Sequence, residues 1–252
     1  MIEKIASICE ELSGISLAEM DSVKLMDRND NKFLLPTAIL PVLLKQAIQN
    51  FRILEIEGLR ISTYNTVYFD TTKMDMYLHH VNKRSKRYKI RSRQYLSSGL
   101  SFTEIKIKNN KGITSKKRVK TSTFPFPDEV ATNFIEAQTP FKVSDLKLML
   151  ENKFSRITLV NNTLKERITL DFNLQFSDAD KTIDMSNLAI VEVKSEGKMA
   201  QKGFNTLLKL NRIQPTSFSK YCAGMALLNP LLKQNSLKQR LLYIQKIIKQ
   251  SC

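Results

Sequence analysis

Apolar and polar positions alternate with period two through much of the chain. In ERITLDFNLQF, Ile168, Leu170, Phe172, Leu174 and Phe176 fall on one side and Arg167, Thr169, Asp171, Asn173 and Gln175 on the other. That is the pattern of a strand whose apolar face is covered. RYKIRSRQYL sets Arg87, Lys89, Arg91 and Arg93 against Tyr88 and Ile90; FTEIKIK sets Glu104, Lys106 and Lys108 against Ile105 and Ile107. AIVEVKSE aligns Glu192, Lys194 and Glu196 opposite Val191 and Val193, RNDNK aligns Arg28, Asp30 and Lys32, and KKRVK adds Lys116, Arg118 and Lys120. Helical spacing of apolar residues predicts helices near 41–51, 127–138, 144–153, 199–210 and 236–249, and an amphipathic N-terminal helix in MIEKIASICEEL on Ile2, Ile5, Cys9 and Leu12.

A charged face on one strand is ordinary, since antiparallel sheets show one polar face to water. So many charged faces of mixed sign are resolved by a closed antiparallel barrel of about eight strands, polar faces inward and helices packed outside. The expected class is α+β. Repeats and Gly/Ser linkers are absent, so one domain over 1–252 is expected, with 1–16 and 231–252 as appended helices.

Charge sharpens this picture. The net charge is +16, and the 38 residues from Lys83 to Lys120 hold fourteen Lys or Arg and a single acid, Glu104, so +13 of it lies there. Focused positive charge implies a polyanionic partner. Carboxylates interspersed among the cations repel phosphodiesters but suit a metal-bound polyphosphate, because Mg²⁺ or Mn²⁺ takes one or two carboxylates plus phosphate oxygens. Nucleic acid is therefore not the expected partner. No G-x-x-x-x-G-K-[ST], G-x-G-x-x-G or H-E-x-x-H is present, and the only histidines, His79 and His80, would point to opposite faces of a strand, so that one could reach a site. Three scattered cysteines without a C-x-x-C pair suggest neither disulfides nor zinc, and no apolar run approaches the ~20 residues that span a bilayer. A cytoplasmic protein without membrane insertion is expected.

The order of motifs carries a resemblance: R-x-D-x-K-F at 28–33, YFDT at 68–71, K-I-R-S-R-x-Y at 89–95, F-x-E-I-K at 102–106, K-K-R-V at 116–119, E-R-I-T-L-D at 166–171, V-E-V-K at 191–194 and S-K-Y at 219–221. Over about residues 20–228 the chain resembles the VTC domain, the polyphosphate polymerase module of the vacuolar transporter chaperone family, within the triphosphate tunnel metalloenzymes (CYTH-like). The resemblance implies a basic tunnel in which ATP or another NTP donates phosphate to inorganic polyphosphate with a divalent cation, Mn²⁺ or Mg²⁺. Hydrolysis of triphosphate, or polyphosphate binding without catalysis, are the alternatives. Carried over by motif, Lys32, Arg91, Arg93, Lys106, Arg156, Arg167 and Lys220 are implied phosphate ligands and Glu192 the metal ligand. Arg28, Lys89, Lys108, Lys116, Arg118 and Lys194 rank second, with Asp30, Glu104 and Asp171 as assistants to the metal. Two departures from the pattern involve three positions. Arg28 and Asp30 stand where the hydrolytic branch has the glutamates of E-x-E-x-K, and Lys108 stands where fungal polymerases have a histidine.

Overall fold

A computed structural model describes residues 1–21, 28–161, 166–196 and 203–249. The strands are β1 (Gly14–Ile15), β2 (Arg28–Pro36), β3 (Arg52–Leu54), β4 (Ser62–Thr71), β5 (Arg87–Tyr95), β6 (Ser101–Lys108), β7 (Thr114–Thr121), β8 (Leu146–Asn161), β9 (Glu166–Ser177), β10 (Thr182–Met185) and β11 (Leu188–Glu196). The helices are α1 (Ile2–Glu11), α2 (Leu17–Asp21), α3 (Leu40–Ala47), α4 (Asp75–Val81), α5 (Glu129–Gln138), α6 (Phe204–Leu210), α7 (Lys220–Leu228) and α8 (Lys238–Lys249). The class is α+β, as expected. All strands join one sheet whose main path runs β2-β11-β9-β8-β4-β5-β6-β7, antiparallel at every step.

The sheet curls but does not close, which corrects the expected closed barrel. Among the described residues β2 and β7 do not pair. Laid flat, β2 and β6 would stand about 29 Å apart, at six strand spacings. Yet Lys32 and Asp30 of β2 are among the charges acting on Lys106 of β6, so the sheet wraps round on itself. What stops closure is the chain's own return: Pro215 bridges Phe33, and Thr216 N–H donates to Lys32 C=O at 2.7 Å, so residues 215–219 lie as a strap along the free edge of β2.

Three apolar clusters hold the curl. Phe33, Leu35, Ile168, Leu170, Phe172, Val191 and Val193 cover one face with residues of α1, α3 and α6. Val67, Phe69, Tyr88, Ile90 and Ile105 meet Ile135 of α5. The third cluster corrects the expectation that helices pack only outside. Leu34, Leu150, Phe154, Leu174, Phe176 and Ile190 pack with Tyr221 and Met225 of α7 and with Leu241, Ile244 and Ile247 of α8. Lys32 and Leu34 share a face of β2 by strand parity, as do Ile190 and Glu192 of β11, so helices stopper one end of the same face that carries charge elsewhere.

Three local expectations change. The run from Ile168 to Phe176 does not keep one face. Lys153 opposes Gln175 and Ser155 opposes Phe172, so β9 carries one extra residue there, with Asn173 at φ 51°. This bulge sends Leu174 and Phe176 to the opposite face from Phe172. The α-helix expected over 144–153 does not form: after a single 3-10 turn at Val143–Asp145, residues 146–153 open β8, because Leu146, Leu148 and Leu150 also alternate and the strand gains partners on both sides in β4 and β9. His79 and His80 lie in α4 rather than on a strand. Ile5 and Cys9 of α1 and its C-cap Leu12 are buried as expected, whereas Ile2 is exposed.

Candidate functional site

The inner face is organised around three carboxylates, each shared by two cations. Glu104 on β6 accepts from Arg91 Nε at 2.6 Å and pairs with Lys116 of β7, its cross-strand neighbours being Arg91 and Arg118. Asp171 takes a bidentate fork from Arg156, at 2.5 and 2.8 Å, and also pairs with Lys220. Glu192 pairs with Lys32 at 3.0 Å and Lys194 at 3.5 Å. The register explains these contacts: Arg156 stands opposite Asp171, and Lys32 opposite Glu192. Such charge-assisted bonds fix side chains that would otherwise lose several rotamers on meeting a ligand.

Electrostatics follow the same division. Burial works against the Glu104 charge, but Arg91, Arg93 and Lys116 outweigh it and hold the carboxyl well below its usual range. Burial likewise opposes the charge of Asp171, and Arg156 with Lys220 overcomes it. Glu192 is brought down to about 2, burial being outweighed by Lys194 and Lys32. All three are carboxylates at neutral pH. Among the cations, burial pushes Lys116 down to about 8, with Glu104 resisting, and Lys220 down to about 7, with Asp171 resisting and Arg156 adding to the fall.

An aromatic shelf supports the cations. Tyr64 of β4 stacks on Phe154 of β8 at 5.2 Å between centroids. The Arg93 guanidinium lies 5.3 Å from the Tyr64 centroid and Arg156 5.3 Å from that of Phe154, while Lys220 Nζ sits 3.3 Å from the latter. Cations over aromatic faces are held without being neutralised. Arg93 has Thr66 Oγ1 as acceptor at 3.1 Å, and burial and the neighbouring Arg91 push it down to about 10.

The S-K-Y motif clamps α7 to three strands with three consecutive side chains. Ser219 accepts from Lys89 Nζ of β5 at 2.8 Å and caps the helix. Lys220 reaches Asp171 of β9, and the Tyr221 hydroxyl donates to Asp70 at 2.5 Å at the end of β4. Asp70 is fully buried and also accepts from the N–H groups of Met76 and Tyr77, so YFDT ties the start of α4 to α7.

Of the sequence-predicted residues, Lys32, Arg91, Arg156, Lys220, Lys116, Lys194, Glu192, Glu104 and Asp171 are brought together in these clusters, with Arg93 on the shelf between Arg91 and Arg156. Arg167 stands opposite Lys194 in the register, and Arg118 lies over the Phe102 ring at 4.9 Å. Lys89, Lys106, Lys108 and Asp30 lie instead at the open side, between β2 and β6. The Arg28 backbone belongs to β2, but its side chain lies outside the described residues. Residues missed from sequence are Tyr64, Thr66 and Tyr68 on β4, whose period-two spacing was the available signal, and Arg240 at the open side, where Arg87 of the charged strand face and His80, one of the two adjacent histidines, also lie.

The fit to a divalent cation is partial in a specific way. Among the described residues no three His, Cys, Asp or Glu side chains converge. Asp171 and Glu104 are committed to Arg and Lys, which leaves Glu192, half-buried and ion-paired among the described residues with Lys32 and Lys194, as the carboxylate suited to a metal. One carboxylate fits a Mg²⁺-class ion that brings its phosphate oxygens and waters with it, not a protein cage.

No curated protein sequence matches the chain. Among solved structures, a candidate adenylyl cyclase from Hippeastrum with a dominant triphosphatase activity aligns at 13% identity and TM-score 0.50, covering 78% of this chain and 94% of that one. Proteins provisionally assigned as adenylate cyclases from Bacillus halodurans and Vibrio parahaemolyticus align at 16% and 10% identity, each with TM-score 0.47. They cover 77% of this chain and, in that order, 96% and 95% of their own. At these identities the Hippeastrum likeness speaks to fold alone. The model of the VTC domain matches residues 27–229. Because that segment runs from the start of β2 to the end of α7, and so takes in every strand on the main path of the curled sheet, the chain belongs to the VTC domain family.

Proposed function

We propose that the protein is a metal-dependent phosphotransferase acting on NTP and inorganic polyphosphate, with the triphosphate held against the inner-face cations. The observation that carries this reading is the charge balance: three carboxylates are shared by six cations, with Arg93 added on the aromatic shelf. The carboxylates hold the guanidinium and ammonium groups in place, and the excess positive charge is left for a linear polyanion. Arg91, Arg93 and Arg156 orient phosphate oxygens by planar donor pairs and stabilise charge that develops as a phosphoryl group moves. Phosphoryl transfer needs little more from a protein than positioning and such stabilisation. A Mn²⁺ or Mg²⁺ ion on Glu192 would spread the charge of the bound phosphates.

The open side between β2 and β6 admits water to this face, which favours triphosphate hydrolysis as the second reading. No helix among the described residues is long and apolar enough to cross a membrane, and nucleic acid is disfavoured by carboxylates set among the cations. The deciding experiment incubates purified protein with ATP and Mn²⁺ and resolves the products. Chain-length polyphosphate is expected; free phosphate alone establishes hydrolysis, and no product with retained tripolyphosphate binding leaves a binding module. Tripolyphosphate at a hundredfold excess over its dissociation constant should add ~2.7 kcal/mol of stability. An unchanged melting temperature at saturating tripolyphosphate overturns the site.

A further inference from the structure

The open side of the sheet holds a cavity of about 620 Å³. Arg87 and Lys89 of β5 and Lys106 and Lys108 of β6 line it, together with Arg240 of α8 and the strap 215–219. Its cations differ in one respect from those of the inner face. There, each carboxylate binds two cations; here, among the described residues, no carboxylate lies within ion-pair distance of Arg87, Lys106, Lys108 or Arg240. Asp30 is the carboxylate on the lining. The cations converge on one spot, since His80 at the wall is kept neutral, down to about 3, by burial and by Lys89, Arg87, Arg240 and Lys106. Like charges gathered without partners repel, and an anion is what relieves them.

Two further observations say which anion. Lys32 and Lys106 both line the cavity and both act electrostatically with Glu192, so the cavity continues into the inner face. A linear ligand seated there has its distal units in the cavity. Arg240 also lies beyond the family-matched residues 27–229, on a helix that the apolar cluster of Leu241, Ile244 and Ile247 fixes in place. We propose that this cavity is an outer subsite for the distal phosphates of a long inorganic polyphosphate, and that Arg87 and Arg240 make the protein selective for chain length. The inference rests on the inner face being the triphosphate site.

The test is calorimetric titration of tripolyphosphate and of long-chain polyphosphate into the intact protein, into the Arg87→Ala/Arg240→Ala double variant, into Arg93→Ala, and into Lys4→Ala/Lys45→Ala. The last pair removes the same charge from exposed positions on α1 and α3. The Arg87/Arg240 pair should weaken long-chain binding roughly tenfold or more, the loss of one or two charge-assisted bonds, while tripolyphosphate affinity stays within about twofold. Arg93→Ala should weaken both ligands, and the Lys4/Lys45 pair neither. Unchanged long-chain affinity in the Arg87/Arg240 pair, equal loss of both ligands, or equal loss in the Lys4/Lys45 pair overturns the subsite while Arg93→Ala still reports on the inner face. A wild-type protein that binds neither ligand overturns both readings. A single-stranded oligonucleotide that binds as tightly as long polyphosphate, with the same dependence on Arg240, makes the cavity a nucleic-acid groove and overturns the proposal.

Discussion

Lys220 carries the electrostatics of the inner face in one titratable group. Burial brings its ammonium to about 7, so it loses its proton near neutrality although Asp171 resists. If it contacts phosphate, affinity for tripolyphosphate falls as pH rises through about 7. Lys220→Arg, whose guanidinium stays charged, flattens that part of the profile; titrations on either side of neutrality check both. Its stability effect has a definite sign. The folded value lies below the ordinary 10.5, so between about 7 and 10.5 the unfolded chain binds more protons and this group's contribution to stability rises with pH. Glu192 divides binding from turnover. Glu192→Gln removes a negative charge beside Lys32 and Lys194, so metal-free tripolyphosphate should bind as well or better, while metal-dependent turnover falls about 100- to 1,000-fold if the loss resembles that of one preorganised stabilising group. Retention of wild-type turnover would make Glu192 a positioning partner of its lysines. Which cations share a face was legible from strand parity alone. Which carboxylate each one meets was not, because Arg156 finds Asp171, and Lys32 finds Glu192, only through a register between strands far apart in sequence.

Among the elements, those with one strong period were readable. The helices at 41–51, 127–138 and 236–249 and the strands of the charged motifs form where their patterns put them, within a few residues at the ends. Failures occur where two periods coexist or where one residue breaks the phase. Leu146, Met149 and Leu150 fit a helix as well as Leu146, Leu148 and Leu150 fit a strand, and two neighbouring strands decided the outcome. The bulge at Asn173 carries no warning in the alternation itself, yet it reassigns Leu174 and Phe176 to the core under α7 and α8. Its left-handed backbone suits Asn and is costly for β-branched residues. Asn173→Val should cost about 1–2 kcal/mol in denaturant unfolding, and Asn173→Gly close to nothing. An equal cost for both would shift the explanation from backbone conformation to a lost side-chain contact.

At the scale of the whole molecule, the curl arises from a sheet covered on one side by α1, α3, α5 and α6 and stoppered on the other by α7 and α8. The sequence implied that charged faces turn inward. It did not imply that the turn stops short, because the strap at 215–219 reads as an ordinary loop with one proline. An open curled sheet has two edges, and each is a potential template for a strand from another molecule. β7 repels such a strand with the exposed Lys117, Arg118 and Lys120. β2 has the strap, held by the Thr216 N–H bond to Lys32 and by a proline that offers no donor to a further strand, and farther along the same edge the Tyr243 hydroxyl of α8, which donates to Leu34 C=O at 3.3 Å. Thr216→Pro, which deletes that donor, should therefore increase self-association with rising concentration in light scattering, while removal of charge from β7 at Lys117 should have far less effect. The gap through which the proposed polyanion would reach the inner face is thus also the place where this fold is most exposed to strand-by-strand aggregation, and the same nine-residue edge of β2 answers for both.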